Sequence, residues 1–110
     1  MSTTEPSRWL FHVTQASALS FKGERYAPAS LATEGFLHAS YRDLVVESAR
    51  LYFPADADLR VLVIDPRGLD VPVQVVTTPR GPMPHIHGSI PRTAYRVIGL
   101  EDVASEADAI

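Results

Sequence analysis

The stretch 59-LRVLVI-64, closed by 65-DPRG-68, decides how this chain is read. Six residues dominated by valine, leucine and isoleucine are the strongest strand signal in the sequence, and Asp-Pro-Arg-Gly ends them with residues suited to a tight turn. Downstream, Val71–Thr78 reads as the next strand, with Pro72 pushing that end towards a sheet edge because proline cannot donate to a ladder. The run 79-PRGPMPHIHGSIP-91 carries four of the nine prolines and two glycines. It reads as a loop or lip and not as a core element. Tyr95–Leu100 reads as the last strand, and the acidic residues after it as a mobile tail. Upstream, Ser40 is an expected N-cap, with Asp43 in the capping-box position, for a helix reaching Tyr52. Leu44, Val45, Ser48, Leu51 and Tyr52 recur along it at helical spacing, and Pro54 prevents its continuation. Before it lie a strand at Phe36–Ala39, a helical turn at Ser30–Glu34 stopped by Gly35, a short helix or turn within Thr14–Phe21, and a first strand at Arg8–Val13. Strands outnumber helices. The order predicts an α+β fold with mainly antiparallel pairing.

The totals narrow the function. A chain of 110 residues is one domain, and at this length folding buries roughly two-thirds of the surface the unfolded chain exposes. Cysteine is absent, which excludes disulfides, thiolate metal sites and cysteine nucleophiles, and fits a cytosolic protein. Apolar runs are too short for a membrane span, and residues 1–7 read as a loose leader without signal-peptide character. Thirteen acidic and ten basic residues give a formal charge of −3. Glu101, Asp102, Glu106 and Asp108 fall in the last ten residues, so the body is near +1, ten basic less nine acidic. Such a body has no electrostatic footprint for duplex nucleic acid. Nine of the ten basic residues are arginine, Lys22 being the exception.

All four histidines sit in strand-like apolar sequence. In a strand, His12 and Thr14 share a face, as do His38 with Ser40 and His85 with His87. A buried imidazole needs a hydrogen-bond partner, so each hydroxyl two residues away is either that partner or a co-ligand for one substrate. A metal reading competes, in which His85 and His87 with His12 or His38 supply imidazoles to one ion. Ser40, Ser89 and Thr14 lie near histidines, but no G-x-S-x-G elbow or phosphate-cradling glycine loop is present. Glu34 is the acid adjacent to this set.

The series 11-FHVT-14, 26-YAPASLATEGFLHAS-40, 58-DLRVLVID-65 and 84-PHIHG-88 resembles a small bacterial family known as domain of unknown function 952, over about residues 8–100. The resemblance implies an ADP-ribosyltransferase-like fold, similar also to RNA 2′-phosphotransferases, with a split antiparallel sheet and a cleft for NAD or an ADP-ribosylated phosphate. It implies that His12 and Thr14 contact a ribose, and that Gly35, Phe36 and His38 match the strand histidine that comes after a Gly-hydrophobic pair. The strand 73-VQVVTT-78 holds no acid where relatives carry a glutamate, and His87 stands where a tyrosine is usual.

The expected protein is therefore a single domain over residues 8–100 with flexible ends at 1–7 and 101–110. It would bind a nucleotide-like ligand, NAD or ADP-ribose, with ADP-ribosyl or 2′-phosphate transfer as the implied chemistry. His12, His38 and His85 are the expected catalytic residues. Thr14, Ser30, Gly35, Ser40, Arg42 and Gly88 are the expected substrate contacts, with Arg25 a second phosphate-binding candidate. The alternatives are a non-catalytic interaction domain on the same fold, motivated by the missing acid, and the histidine metal site.

Overall fold

The computed structural model describes residues 8–19 and 25–110. Along them run β1 (Leu10–Gln15), β2 (Arg25–Tyr26), α1 (Ala29–Glu34), β3 (Leu37–His38), α2 (Arg42–Tyr52), β4 (Leu59–Ile64), β5 (Val73–Thr78), β6 (Gly81–Ile86), β7 (Ile90–Pro91) and β8 (Tyr95–Gly99). All strand pairs are antiparallel, in two three-stranded sheets, β1-β4-β8 and β3-β6-β5, and a two-stranded ribbon, β2-β7. The architecture is α+β with antiparallel sheets and few helices, as the element order predicts. The leader at residues 1–7 and the end of the helix expected within Thr14–Phe21 lie outside the described residues. Within them, that segment holds one 3-10 turn, Ala16–Ala18.

β4 is apolar throughout because both of its faces are covered. Leu62 and Ile64 enter one core with Leu10, Leu37, Ile86 and Ile90, while Val61 and Val63 enter a second with Phe11, Val45 and Val103. Each such side chain contributes roughly 1.5–3 kcal/mol when fully buried. Strand alternation sorts β1 in the same way: Phe11 and Val13 pack with α2, and His12 and Thr14 take the opposite face with Leu10.

The two sheets meet where β1 touches the end of β3. Phe11 and Ser40 exchange both backbone bonds, at 2.8 and 2.7 Å. That bridge displaces the expected helix start. Ser40 is committed to the bridge, so Tyr41 takes the N-cap position without a side-chain cap, and α2 begins at Arg42. The helix buries Val45 and Ala49, while Leu51 and Tyr52 are exposed. Ser48 and Tyr52, four residues apart, share a second face that looks towards a cavity between the sheets.

Two further expectations change. The proline-rich run is no loop: its first part is β6, the central strand of its sheet, with Met83, Pro84 and Ile86 buried. The prolines are tolerated because of the side they face. Ala39 donates its N–H to the Pro84 carbonyl at 3.0 Å, so residues 82 and 84 direct their backbone polar atoms towards β3. β3 pairs over two residues only, whereas the six-residue ladder to β5 uses the opposite side. Proline's missing N–H thus falls where little ladder exists to lose. The acidic tail is also docked. Residues 100–105 form a 3-10 segment that buries Val103, Arg8 pairs with Asp108 at 2.8 Å, and Arg96 pairs with Glu106. Apolar burial and cross-tail ion pairs outweigh the charge density that read as mobile.

Candidate functional site

A cavity of about 810 Å³ opens where the two sheets separate. Of the sequence-predicted residues, His12, Thr14, Ser30, His38, Ser40 and His85 line it. They come from β1, α1, β3, the β3–α2 junction and β6, so only the tertiary fold brings them together.

His12 is buried, and both its ring nitrogens are engaged. Nδ1 lies 2.6 Å from the His38 carbonyl oxygen and Nε2 lies 2.9 Å from the Tyr26 hydroxyl. A carbonyl only accepts, so Nδ1 carries the hydrogen and Nε2 accepts from the phenol. The ring is held neutral: burial pushes its pKa down, opposed in part by the His38 carbonyl. Tyr26 is itself buried, which pushes its phenol pKa up, while a hydrogen bond with Thr14 pulls the other way. The result is a directed chain from Tyr26 through His12 to the His38 carbonyl. His12 therefore spends both nitrogens on holding β1, β2 and β3 together.

His38 is different. Its side chain is largely exposed, and Nε2 lies 2.7 Å from Glu34 Oε2 across the α1–β3 turn. The carboxylate accepts the Nε2 hydrogen. Gly35 makes this turn possible by ending α1 at φ 82°, a left-handed conformation that costs glycine little. His38 and His85 are directly opposed in the β3–β6 ladder, with ring centroids 5.2 Å apart. Phe36 stacks on His85 at 4.2 Å and also touches His38 and His87. Burial lowers the His85 pKa, and the neighbouring His38 and His87 lower it further.

Three expected contacts lie elsewhere. Gly35 serves as the helix cap and does not line the cavity. Arg42 reaches the Ala104 carbonyl at 3.0 Å and Asp43 at 3.6 Å, tying α2 to the tail. Gly88 packs where a Cβ would meet Val71 Cγ1 at 2.4 Å, so it provides close packing between segments. Arg25, likewise, is paired with Asp70 at 2.6 Å and bonded to Ser89. Sequence proximity misleads for Arg42 because the helix turns it away from Ser40. His87 bonds Gln74 at 3.2 Å. Among the described residues no group of three or more His, Asp or Glu side chains converges as a metal-ligand set.

The cavity also holds residues that sequence reading passed over: Tyr26, Ser48, Tyr52 and Arg80. Tyr26 sits 14 residues from His12, with no local spacing to couple them. Arg80 sits in the tight turn between β5 and β6, where an arginine ordinarily points into solvent. No helix among the described residues is long and apolar enough to cross a membrane.

The crystal structure of protein CC0527 from Caulobacter crescentus is similar to this chain, with a TM-score of 0.73 at 19% identity, over 93% of this chain and 91% of that one. A double mutant of the same Caulobacter protein matches with a TM-score of 0.67 at the same identity and coverage. At that identity the likeness is one of fold. No curated protein matches the chain. The family described as "Protein of unknown function (DUF952)" matches residues 12–98, most of the sequence, and the protein belongs to that family.

Proposed function

We propose that the protein binds a small nucleotide-like molecule, NAD or ADP-ribose, in the cavity between its two sheets. The observation that carries this reading is the cavity itself. Its volume of about 810 Å³ lies in the range of small-molecule sites, roughly 300–1,000 Å³, and a few polar groups converge on it from separate elements. The reading extends to an ADP-ribosyltransferase-like fold and to ADP-ribosyl or 2′-phosphate transfer. In that chemistry His38 acts as the general acid or base, its imidazole oriented by Glu34. Glu34 also lines the cavity and is the carboxylate positioned to offset the positive charge that develops when nicotinamide departs. His12, with both nitrogens engaged, is a positioning residue.

The test is a ligand-dependent thermal shift with NAD, ADP-ribose, ADP-ribose 1″-phosphate and adenosine. A ligand bound only by the folded state adds about 2.7 kcal/mol at a hundred times its Kd. The expected result is a rise in Tm that is lost in His38→Ala. No rise with any of the four rejects the reading.

One observation favours an interaction domain without chemistry. β5 lies at the edge of its sheet and presents Val73 and Val75 to solvent. Concentration-dependent self-association that Val75→Lys abolishes, together with no nucleotide shift, would support it.

A further inference from the structure

We infer that Arg80, with Ser48 and Ser40, forms a subsite for an anionic phosphate or pyrophosphate group at one end of the cavity. This deepens the nucleotide reading and rests on it. Arg80 is the one arginine or lysine among the described residues that line the cavity. The arginines chosen from sequence proximity are committed elsewhere, Arg25 to Asp70 and Arg42 to Ala104.

The turn between β5 and β6 aims Arg80 inward. Thr78 Oγ1 accepts from the Arg80 N–H at 3.2 Å and donates to the Gly81 carbonyl at 2.7 Å, which fixes the backbone of the turn. The guanidinium then lies over the face of α2 that carries Ser48 and Tyr52. Nη1 is 3.5 Å from Ser48 Oγ, at the long limit of a hydrogen bond, and 3.9 Å from Glu47 Oε1, and Cζ stands 5.8 Å from the Tyr52 ring centroid. None of these contacts is the close, forked bond a guanidinium makes with an oxyanion. By contrast, the pairs Arg8–Asp108, Arg25–Asp70, Arg60–Asp58 and Arg67–Asp65 each close at 2.9 Å or less. Arg80 therefore retains donors for a ligand, held near one place by weak contacts.

The hydroxyls beside it complete the subsite. Ser40 Oγ and Ser48 Oγ are 3.1 Å apart, and Ser40 is buried. Ser40 Oγ also lies 4.0 Å from Met83 Sδ, a weak acceptor at the long limit, so when Ser40 donates to Ser48 the Ser48 hydrogen is the one that turns towards a ligand oxygen. Glu47 is the carboxylate that opposes an incoming anion here, and it is half exposed, so solvent screens it.

The experiment titrates wild type, Arg80→Gln and Glu47→Gln with adenosine, inorganic pyrophosphate and ADP-ribose by calorimetry. Pyrophosphate and ADP-ribose should bind wild type, and Arg80→Gln should weaken both by about ten- to a hundredfold, the loss expected for charge-assisted bonds. Adenosine should be indifferent to that change, and Glu47→Gln should tighten the two anions. ADP-ribose binding unchanged in Arg80→Gln overturns the subsite and leaves the nucleotide reading standing. Pyrophosphate binding that depends on Arg80, with no binding of ADP-ribose or adenosine, keeps the subsite and rejects the nucleotide. Failure of pyrophosphate and ADP-ribose alike to bind wild type overturns the subsite.

Discussion

The Tyr26 hydroxyl donates to His12 Nε2 at 2.9 Å, and this bond decides what His12 can do. The opposite nitrogen donates to the His38 carbonyl at 2.6 Å, so one imidazole links β1 to β2 and to β3. The backbone exchange between Phe11 and Ser40 lies next to it. Together they hold the edge along which the two sheets part, and the cavity opens there.

Removing the phenol oxygen should be costly. Tyr26→Phe leaves His12 Nε2 buried without its donor, which costs about 1–3 kcal/mol for an unsatisfied group. Urea denaturation should show that loss. A loss below about 0.5 kcal/mol, within the range of ordinary surface changes, would mean that the bond is not held in solution.

Stability should fall in mild acid. The His12 pKa is lower in the folded chain than its ordinary 6.5, so below that value the unfolded chain binds a proton that the folded ring refuses. Stability then rises with pH. The contribution is complete above about pH 6.5 and is lost as pH drops through the folded value. His85 shifts in the same direction, but its ring is more accessible and its share is smaller. Urea midpoints between pH 8 and pH 5 should decline for wild type and decline less for His12→Gln. Equal slopes for the two proteins would assign the pH dependence to other groups.

Gly35→Ala separates a cap from a substrate contact. Nothing lies within 4 Å of a Cβ at this position, so the cost is the left-handed backbone alone, about 1–2 kcal/mol. Thermal unfolding should report that loss while nucleotide affinity, measured at a temperature where the variant is folded, stays the same. An affinity loss at full folding would restore Gly35 to the site.

The tail should be held by packing more than by charge. Val103→Ala removes apolar surface from the second core and should cost about 1–3 kcal/mol. Asp108→Ala breaks the partly exposed ion pair with Arg8 while leaving Arg8 stacked on Tyr41, and should cost under about 1 kcal/mol. Raising the salt concentration to about 1 M, where the screening length falls to roughly 3 Å, should change stability little. The reverse ranking would make the tail an electrostatic attachment.

Much of the fold was legible in the residues. The apolar run at Leu59–Ile64, the turn at 65–68, the stop at Gly35, the end of α2 before Pro54 and the last strand all come from local chemistry: β-branched bulk, a side chain that caps its own turn, left-handed tolerance and proline's missing N–H. Strand periodicity also paired His12 with Thr14 on one face, because alternation needs no knowledge of the partner strand.

What the sequence did not carry is whatever depends on a partner distant along the chain. Pro82 and Pro84 read as loop residues because their place in a central strand depends on β3 being short on the side they face. Ser40 reads as a helix cap until Phe11 takes both its backbone groups. Arg42 and Arg25 read as phosphate ligands until Ala104 and Asp70 engage them, while Arg80, in a run that read as a loop or lip, lines the cavity. Local sequence fixes backbone preference and which face a side chain takes. A hydrogen bond or an ion pair is decided by which groups the fold brings within about 3 Å of each other, and here that depends on how the two sheets, the β2-β7 ribbon and α2 come together.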